Sequence, residues 1–146
     1  MTVLRLSQTI RRPADEVFDV IIHCGEFATW NPTIRASRQL STGEIGNGSR
    51  FEWDLKGFGP VGQELQEFER NRRVRIVPDS KAIAGGHRFT LTGMSGQTRV
   101  DHELEMIPRG VFRLVGPVMI RVGRKNLAAT ADALKRRVEE TPGPTT

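Results

Sequence analysis

The chain has 146 residues, of which 37% are hydrophobic and 27% charged, values that fit one domain with a sizeable core. Its single cysteine excludes an intrachain disulfide and a thiolate metal cluster, and no apolar run approaches the ~20 residues that a membrane-spanning helix needs. We therefore expect no integral membrane association. The N-terminus has no basic segment followed by an apolar one, so the sequence predicts a cytoplasmic location.

The formal net charge is +5, and much of it lies in two basic clusters at 70–73 and 135–137. Such clusters either attract nucleic acid or anionic lipid, or form a solvated turn and a solvated helix face. Proteins that bind single strands interleave exposed aromatic residues with the basic ones. This chain has no tyrosine, and most of its aromatic residues fall at inward-facing positions, so we expect no nucleic-acid partner.

The N-terminal segment predicts a half-buried strand followed by a short helix. Apolar and polar residues alternate over 3–11. Pro13 suits the first turn of a helix, where its missing N–H is not needed, and the acidic residues that follow suit the positive end of the helix dipole. The helix should end near Gly25, and the residues at 26–29 fit a second short helix.

The middle of the chain is rich in predicted strands. Alternation and turn residues place six of them at 34–40, 49–56, 61–70, 73–77, 86–92 and 98–107. In the second of these, Phe51, Trp53 and Leu55 share one face. The last two form a hairpin around the glycine-rich turn at 93–96. This order of elements indicates a sheet wrapped around a space rather than a nucleotide-binding crevice.

One long helix is predicted from Pro117 to about Glu140, with a flexible tail at 141–146. Its inward stripe has apolar or small residues spaced by three or four: Ile120, Gly123, Leu127, Ala131, Leu134 and Val138. The predicted fold class is α+β, a curved seven-stranded antiparallel sheet wrapped around this C-terminal helix, with one or two short helices after the first strand. Because a helix contacts a curved sheet best at its ends, its middle should leave a cavity for an apolar molecule. Residues 1–140 would then form one ligand-binding domain.

Four segments carry a likeness to a known family: RPADEVF at 12–18, FATWNP at 27–32, GNG at 46–48 and the terminal helix around 126–135. They resemble the START-like or Bet v 1-like (SRPBCC) superfamily, and within it the polyketide cyclase/dehydrase and lipid transport branch. The resemblance implies a helix-grip fold over almost the whole chain. It leaves the function open, because this fold hosts carriers, cyclases, hormone receptors, chaperone activators and quinone-binding proteins.

His87 and His102 are the candidates for catalysis. If the hairpin is centred on 93–96, Phe89 lies opposite His102 and His87 lies opposite Leu104, so the two imidazoles share one face as diagonal neighbours. A buried histidine pair can act as acid and base near neutral pH, can orient a ligand carbonyl or hydroxyl, or can be purely structural. As an enzyme, the chain would use one imidazole to remove a proton next to a ligand carbonyl and the other to protonate the departing oxygen.

Further side chains are predicted to line the cavity because they lie at inward positions of strands or helices. They are Gln8, Trp30, Phe51, Trp53, Phe68, Phe89, Leu104, Met119, Gly123 and Leu127. Glycine inside a helix costs about 1 kcal/mol relative to alanine, so Gly123 indicates either space for a ligand or close packing on a neighbour. An apolar gate can form before and within the start of the helix, from Phe112, Leu114, Val115 and Val118.

The function predicted first is non-covalent binding of a hydrophobic small molecule such as a lipid, polyketide or isoprenoid, for carriage or sensing, by a monomer or homodimer. The resemblance implies one alternative, a metal-free cyclase/dehydratase (lyase-type) enzyme that uses His87 and His102. Cyclases of this superfamily are expected to place Tyr in the cavity, and this chain has none, so binding is favoured over catalysis. Another alternative is a partner module whose basic surface docks on a protein, membrane or RNA. No cofactor is expected, and no metal, because nothing places a third ligand beside the two histidines.

Overall fold

The computed structural model describes residues 2–140, so the predicted flexible tail at 141–146 lies outside the described residues. The chain opens with strand β1 (Thr2–Ile10), helix α1 (Ala14–Ile22) and a 3₁₀ helix at Cys24–Thr29. Pro13 is the N-cap of α1 and has an extended backbone (φ −63°, ψ 156°), so the helix begins just after it. Both short helices expected after the first strand are present.

Six strands follow and form one sheet with β1. They are β2 (Ile34–Gln39), β3 (Arg50–Leu55), β4 (Gly59–Glu69), β5 (Arg73–Asp79), β6 (Ile83–Met94) and β7 (Gln97–Pro108). Neighbouring strands are antiparallel, in the spatial order β1-β7-β6-β5-β4-β3-β2. The predicted seven-stranded antiparallel sheet is therefore confirmed.

The sheet departs from regular strand geometry at two places. Gly85 and Gly86 in β6 have φ values of +107° and +123°, a region that residues with a side chain rarely adopt. A Cβ on Gly86 would overlap the carbonyl oxygen of Ile76 in β5, so glycine allows close approach of the two strands. In β4 the register against β5 shifts around Glu67, which has φ 50°, and this β-bulge bends the strand.

The described part of the chain ends with two helices. The 3₁₀ helix at Gly110–Val115 was not predicted, whereas helix α2 (Gly116–Glu140) was. None of the helices within residues 2–140 combines the length and hydrophobicity needed to span a bilayer. The second half of α2 is fastened to the first strand. Gln8 Nε2 donates a hydrogen bond to Ala131 O (2.8 Å), and the backbone N–H of Arg11 donates to Glu139 Oε2 (2.8 Å).

Buried apolar side chains form two clusters on the helix-covered side of the sheet. The larger one joins α1, the first 3₁₀ helix, the sheet and the last turns of α2, and it includes Phe18, Phe27, Phe51, Phe89, Leu134 and Val138. The smaller one consists of Leu104, Met106 and Leu127, with Met119 packed against it. Helix α2 contributes to both clusters, its C-terminal turns to the larger and its middle to the smaller.

Candidate ligand-binding cavity

A cavity of about 310 Å³ lies between the sheet and the first half of α2. Trp53 and Phe89 of the larger apolar cluster border it, and so do Leu104 and Met106 of the smaller cluster. The cavity therefore lies where the two clusters of the core meet. Its volume is at the lower end of the range for small-molecule sites, and most of its wall is apolar, as is usual for such sites.

Trp53 presents apolar surface to the cavity because its polar atom is bound elsewhere. Its indole Nε1 donates a hydrogen bond to the carbonyl oxygen of Cys24 (2.8 Å). Its ring stacks on that of Phe27, which also lines the cavity, with 4.8 Å between centroids and 21° between planes. The link between β3 and the first 3₁₀ helix thus holds two aromatic rings as a rigid part of the wall.

The β6–β7 hairpin brings His87 and His102 together in the predicted register. Leu104 lies opposite His87, and Phe89 lies opposite His102. The Nδ1 atom of His87 is 2.8 Å from Nε2 of His102, so the two imidazoles share a hydrogen bond. His87 lines the cavity. His102 lies behind it, 2% exposed, with its ring stacked on that of Phe89 at 4.1 Å between centroids.

Both imidazoles are neutral near pH 7. Burial lowers the pKa of His87 to about 4, and burial followed by the charge of His87 holds the pKa of His102 well below its usual value. One ring must donate in their shared bond. His102 Nδ1 is buried and has no partner among the described residues, so a proton there would leave an orphaned N–H. The proton of His102 therefore belongs on Nε2, which leaves His87 with its own proton on Nε2, the free nitrogen of the ring that borders the cavity.

Gln63 is a polar residue of the wall that was not predicted. It lies on the inward face of β4 between Val61 and Leu65, is 6% exposed and lines the cavity. Asn31 and Thr130 also border the cavity, but these two bond each other at 3.1 Å. The signal for Gln63 was available in the sequence, because it is a polar residue in an otherwise apolar alternating row.

Gly123 both lines the cavity and packs closely on a neighbouring strand. A Cβ at this position would overlap Sδ of Met106 and lie 2.9 Å from its Cε atom and 3.4 Å from Cδ2 of Leu104. Of the two interpretations of this glycine, close packing is the one observed directly. The same contact shapes the wall, because Met106 and Leu104 border the cavity too.

The residues predicted to contact ligand fall into two groups in the structure. Those on the cavity wall are His87, Trp53, Phe89, Leu104, Met119 and Gly123. Those placed away from the wall are Gln8, Trp30, Phe51, Phe68, His102 and Leu127. The second group shares the inward direction that the sequence pattern indicates, but its members pack against protein instead.

Three aromatic residues of the second group belong to the larger apolar cluster. Phe51 is fully buried in it. Trp30 packs on Phe27 with 4.6 Å between ring centroids, and it is Phe27 that reaches the cavity. Phe68 lies beyond the β4 bulge and packs edge-on against Phe18 at 5.3 Å. Each of these rings therefore packs against another aromatic or core side chain and does not line the cavity.

Gln8 and Leu127 hold helix α2 rather than face the cavity. The Gln8 amide donates to the helix carbonyl of Ala131, and so its N–H group is satisfied by protein. Leu127 is buried against Leu104 and Met106 in the smaller cluster. Both side chains therefore fix the position of the helix that forms one side of the cavity.

Glu67 of β4 bonds to an arginine and not to the histidine pair. At the bulge, Glu67 Oε2 accepts a hydrogen bond from Arg88 Nη2 at 2.9 Å, and this bond lowers the pKa of the Glu67 carboxyl. Within residues 2–140, no group of three or more His, Cys, Asp or Glu side chains is arranged to hold a metal ion.

An exposed apolar strip lies beside the cavity mouth, on the second 3₁₀ helix and the first turns of α2. It consists of Val111, Leu114, Val115, Val118 and Val122, which are between 44% and 85% exposed. Val118 and Val122 also line the cavity, as does Phe58, whose ring lies 6.3 Å from that of Phe112. Of the residues predicted as an apolar gate, Val118 lines the cavity, whereas Leu114 and Val115 are exposed and do not line it, and neither does Phe112.

Comparison with solved structures identifies the same architecture in other proteins, whereas no curated protein matches significantly. A START superfamily protein from Mycobacterium smegmatis is 15% identical, with a TM-score of 0.80 over 96% of this chain and 99% of that one. A Thermus thermophilus protein is 14% identical, with a TM-score of 0.80 over 97% and 100%. An aromatase/cyclase from a Streptomyces species is 14% identical, with a TM-score of 0.67 over 98% and 99%. At these identities the likeness establishes the helix-grip fold.

The family described as polyketide cyclase / dehydrase and lipid transport matches residues 1–139. This match agrees with the seven-stranded sheet, the long C-terminal helix and the START-type structural neighbour. Together with the apolar cavity, it indicates a domain that binds hydrophobic ligands. The chain shares the fold of a START superfamily protein and belongs to the polyketide cyclase/dehydrase and lipid transport family, the branch that its four segments resembled.

Proposed function

We propose that the chain binds, for carriage or sensing, a small apolar molecule that presents a hydrogen-bond-accepting oxygen to His87. The observation that carries this proposal is the 2.8 Å bond between His87 and His102 at the wall of an otherwise apolar cavity. With the proton of His102 on Nε2, that bond leaves the Nε2 N–H of His87 free to donate to a ligand. Lipids, polyketides and isoprenoids that bear a carbonyl or hydroxyl have the required chemistry.

The energetics favour a mostly hydrocarbon ligand. A volume of 310 Å³ corresponds to about ten water molecules at liquid density, and apolar walls offer such water few hydrogen bonds. A ligand that displaces it gains about 25 cal/mol for each Å² of apolar surface buried. A hydrogen bond to the neutral imidazole adds about 1 kcal/mol, while a ligand that leaves the donor unsatisfied loses about as much.

Gln63 supports a second polar contact in the same ligand. Gln63 of β4 lies opposite Pro78 of β5, and Ile76, two residues before Pro78, lies opposite His87 of β6. Gln63 and His87 are therefore two strands and two residue positions apart. Sheet spacing then puts their Cα atoms roughly 12 Å apart. We infer a ligand with one polar atom near each end of an apolar skeleton, because the Gln63 side chain and His87 both border the cavity.

The second candidate is a cyclase/dehydratase reaction, and the histidine pair in a fold shared with an aromatase/cyclase is the observation in its favour. A His87 whose pKa is about 4 is a weak base at neutral pH, which makes proton abstraction the less supported role. With a polyketide-like probe, His87→Ala should abolish turnover but leave binding within about tenfold if this candidate holds. An equal loss of turnover and of binding in His87→Ala would instead support a role of His87 in orienting the ligand.

The test of the binding proposal begins with native mass spectrometry of gently purified protein, in which a co-purified apolar molecule is expected. Calorimetric titration then compares α-tetralone with tetralin, which share a skeleton and differ by one carbonyl. In wild type, α-tetralone should bind more tightly than tetralin. The ratio of the tetralin dissociation constant to the α-tetralone dissociation constant should fall about fivefold in His87→Leu, because this variant lacks the hydrogen bond to the carbonyl. His87→Gln should keep part of the preference because it keeps a donor.

His23→Gln serves as the control, since His23 lies at the end of α1 and does not line the cavity. It should leave the ratio unchanged. An equal ratio in wild type and His87→Leu would overturn the role of His87. Failure of both probes to bind, with no co-purified molecule, would overturn the binding proposal as a whole.

The proposal includes the setting expected from the sequence: one ligand-binding domain over residues 1–140, acting in the cytoplasm as a monomer or homodimer without nucleic acid. A single buried cysteine and the absence of tyrosine support the location and the lack of a nucleic-acid partner, respectively. Light scattering after size exclusion should give a mass of one or two chains. Retention on a nucleic-acid column that falls steeply with salt would argue against this setting.

A further inference from the structure

We propose that the apolar strip beside the cavity mouth docks on the surface of an anionic lipid bilayer. This inference goes beyond the ligand proposal, because it concerns the outside of the protein and is tested by lipid binding alone. It rests on an exposed apolar face, on the charge around that face and on the position of the face beside the cavity.

The apolar strip forms one continuous face. Leu114, Val118 and Val122 recur at every fourth residue, which places them on one side of the helical segment. Leu114 is 85% exposed and Val111 is 75% exposed, and both therefore meet solvent with most of their surface. Aliphatic side chains gathered in this way on a folded surface mark an interaction site, since scattered single residues would be ordinary.

The charged residues of the segment that carries the strip have one sign. Residues 107–131 contain no Asp or Glu, and their basic residues are Arg109, Arg113, Arg121, Arg124 and Lys125. These five equal the formal net charge of +5 for the whole chain, so the remaining residues balance to zero. All five are exposed, and none forms an ion pair with a carboxylate in the part of the chain that the structure describes.

An anionic bilayer matches both properties, and a second copy of the chain does not. Two copies joined through this face would bring their unpaired positive charges together. A bilayer surface offers an apolar layer for the aliphatic side chains and phosphate groups for the arginines, which is the environment of interfacial basic amphipathic helices. The rest of the protein, with no net charge, would stay in water.

The position of the strip supports the same occupant. Val118, Val122 and Phe58 belong to the cavity wall, and the first two also belong to the strip. A docked protein would therefore hold its cavity mouth against the lipid. If the ligand proposal also holds, a poorly water-soluble ligand could pass between bilayer and cavity without crossing water.

The experiment is sedimentation of the full chain with vesicles of phosphatidylcholine alone and of phosphatidylcholine with 30% phosphatidylserine, at about 0.1 M salt. The wild-type protein should bind the anionic vesicles and should bind the neutral vesicles much more weakly. The double variant Val111→Ser, Leu114→Ser should bind at least tenfold more weakly. Removing charge in Arg113→Gln, Arg121→Gln should weaken binding roughly fivefold per residue.

Two matched controls locate the effect. Leu40→Ser, Met94→Ser removes exposed apolar side chains outside the strip, and Arg70→Gln, Arg72→Gln removes the same charge from another basic cluster. Both should bind vesicles like wild type. Val111 and Leu114 do not line the cavity, so their variant should still bind α-tetralone, which separates this proposal from the ligand proposal.

Several results would overturn the docking proposal. One is equal binding of neutral and anionic vesicles, or binding of neither. Another is a loss in the control variants as large as in the strip variants. A dimer that becomes a monomer in Val111→Ser, Leu114→Ser would identify a second copy as the true occupant of the strip.

Discussion

His87 Nδ1 and His102 Nε2 lie 2.8 Å apart, and this single bond joins the wall of the cavity to a buried residue of β7. Because one ring is buried and the other borders the cavity, the inner imidazole determines which atom the outer one can offer to a ligand. The pair behaves as one polar unit that is neutral near pH 7. It is thus a directional hydrogen-bond donor without a charge that would have to be desolvated.

The first prediction concerns acid sensitivity. Folding lowers the pKa of both imidazoles, so the unfolded chain takes up protons first when the pH falls below about 6.5. The free energy of unfolding should therefore decrease between pH 6.5 and 4.5, by about 1.4 kcal/mol per pH unit for each imidazole that protonates only on unfolding. Urea titrations at closely spaced pH values measure this slope.

The double variant His87→Phe, His102→Phe should flatten the slope in that window, because it removes both groups. His23→Gln is the matched control and should keep the wild-type slope, since His23 lies outside the pair at the end of α1. Parallel curves for wild type and the double variant would show that the loss comes from carboxyl groups instead.

The second prediction concerns the glycine of α2 at the cavity. Gly123→Ala should gain about 1 kcal/mol in helix propensity but force Met106 aside, because the new Cβ would overlap its Sδ atom. The open space next to Met106 is the cavity, so the displaced side chain should occupy part of it. We expect stability within about 2 kcal/mol of wild type, together with severalfold weaker binding of α-tetralone.

Gly116→Ala is the control in the same helix, since a Cβ there meets nothing within 4 Å. It should leave binding unchanged. If Gly123→Ala bound the probe as tightly as wild type, the contact with Met106 would have no part in shaping the cavity.

The third prediction concerns the positive-φ glycines of β6. Gly86→Ala should destabilise the fold by about 3 kcal/mol or more, because its φ of +123° disfavours any side chain and its Cβ would overlap the carbonyl oxygen of Ile76. Gly93→Ala, in the same strand, has an open site and should change stability by less than about 1 kcal/mol. Thermal unfolding compares the two. Similar midpoints for both variants would contradict the requirement for glycine at position 86.

The fourth prediction concerns the attachment of α2. Gln8→Leu removes the hydrogen bond to the carbonyl of Ala131 and should lower the free energy of unfolding by about 1 kcal/mol. Ser7→Ala removes an exposed hydrogen bond to Asp101 on the other face of β1, and should cost less. Urea denaturation is the measurement. A larger loss in Ser7→Ala would mean that the Gln8 amide does not hold the helix.

Local patterns allowed the sheet and the register of its last hairpin to be predicted. The turn at 93–96 sets the register, so placing His87 opposite Leu104 required no knowledge of the rest of the chain. The long helix followed in the same way from its spacing of apolar residues. Both features depend on neighbours in sequence, which the sequence displays directly.

Which of the inward-facing side chains line the cavity could not be predicted in this way. Phe51 and Trp53 lie on the same face of β3, yet Trp53 reaches the cavity and Phe51 is sealed in the core. The difference depends on which helical residues pack over each of these two positions of β3, and that packing is not visible in the alternation of the strand. Phe68 illustrates a second limit. It follows the bulge at Glu67, which has a positive φ although it is not a glycine, and such a bulge cannot be predicted from the residue type.

Helix α2 divides its tasks along its length: Gln8 and Arg11 hold its C-terminal half, while its N-terminal half borders the cavity and the apolar strip. Substitutions in the N-terminal half of α2 therefore change the cavity wall and the exposed strip while leaving these two hydrogen bonds in place. One end of the helix can vary in its surface while the other end keeps it attached to the sheet.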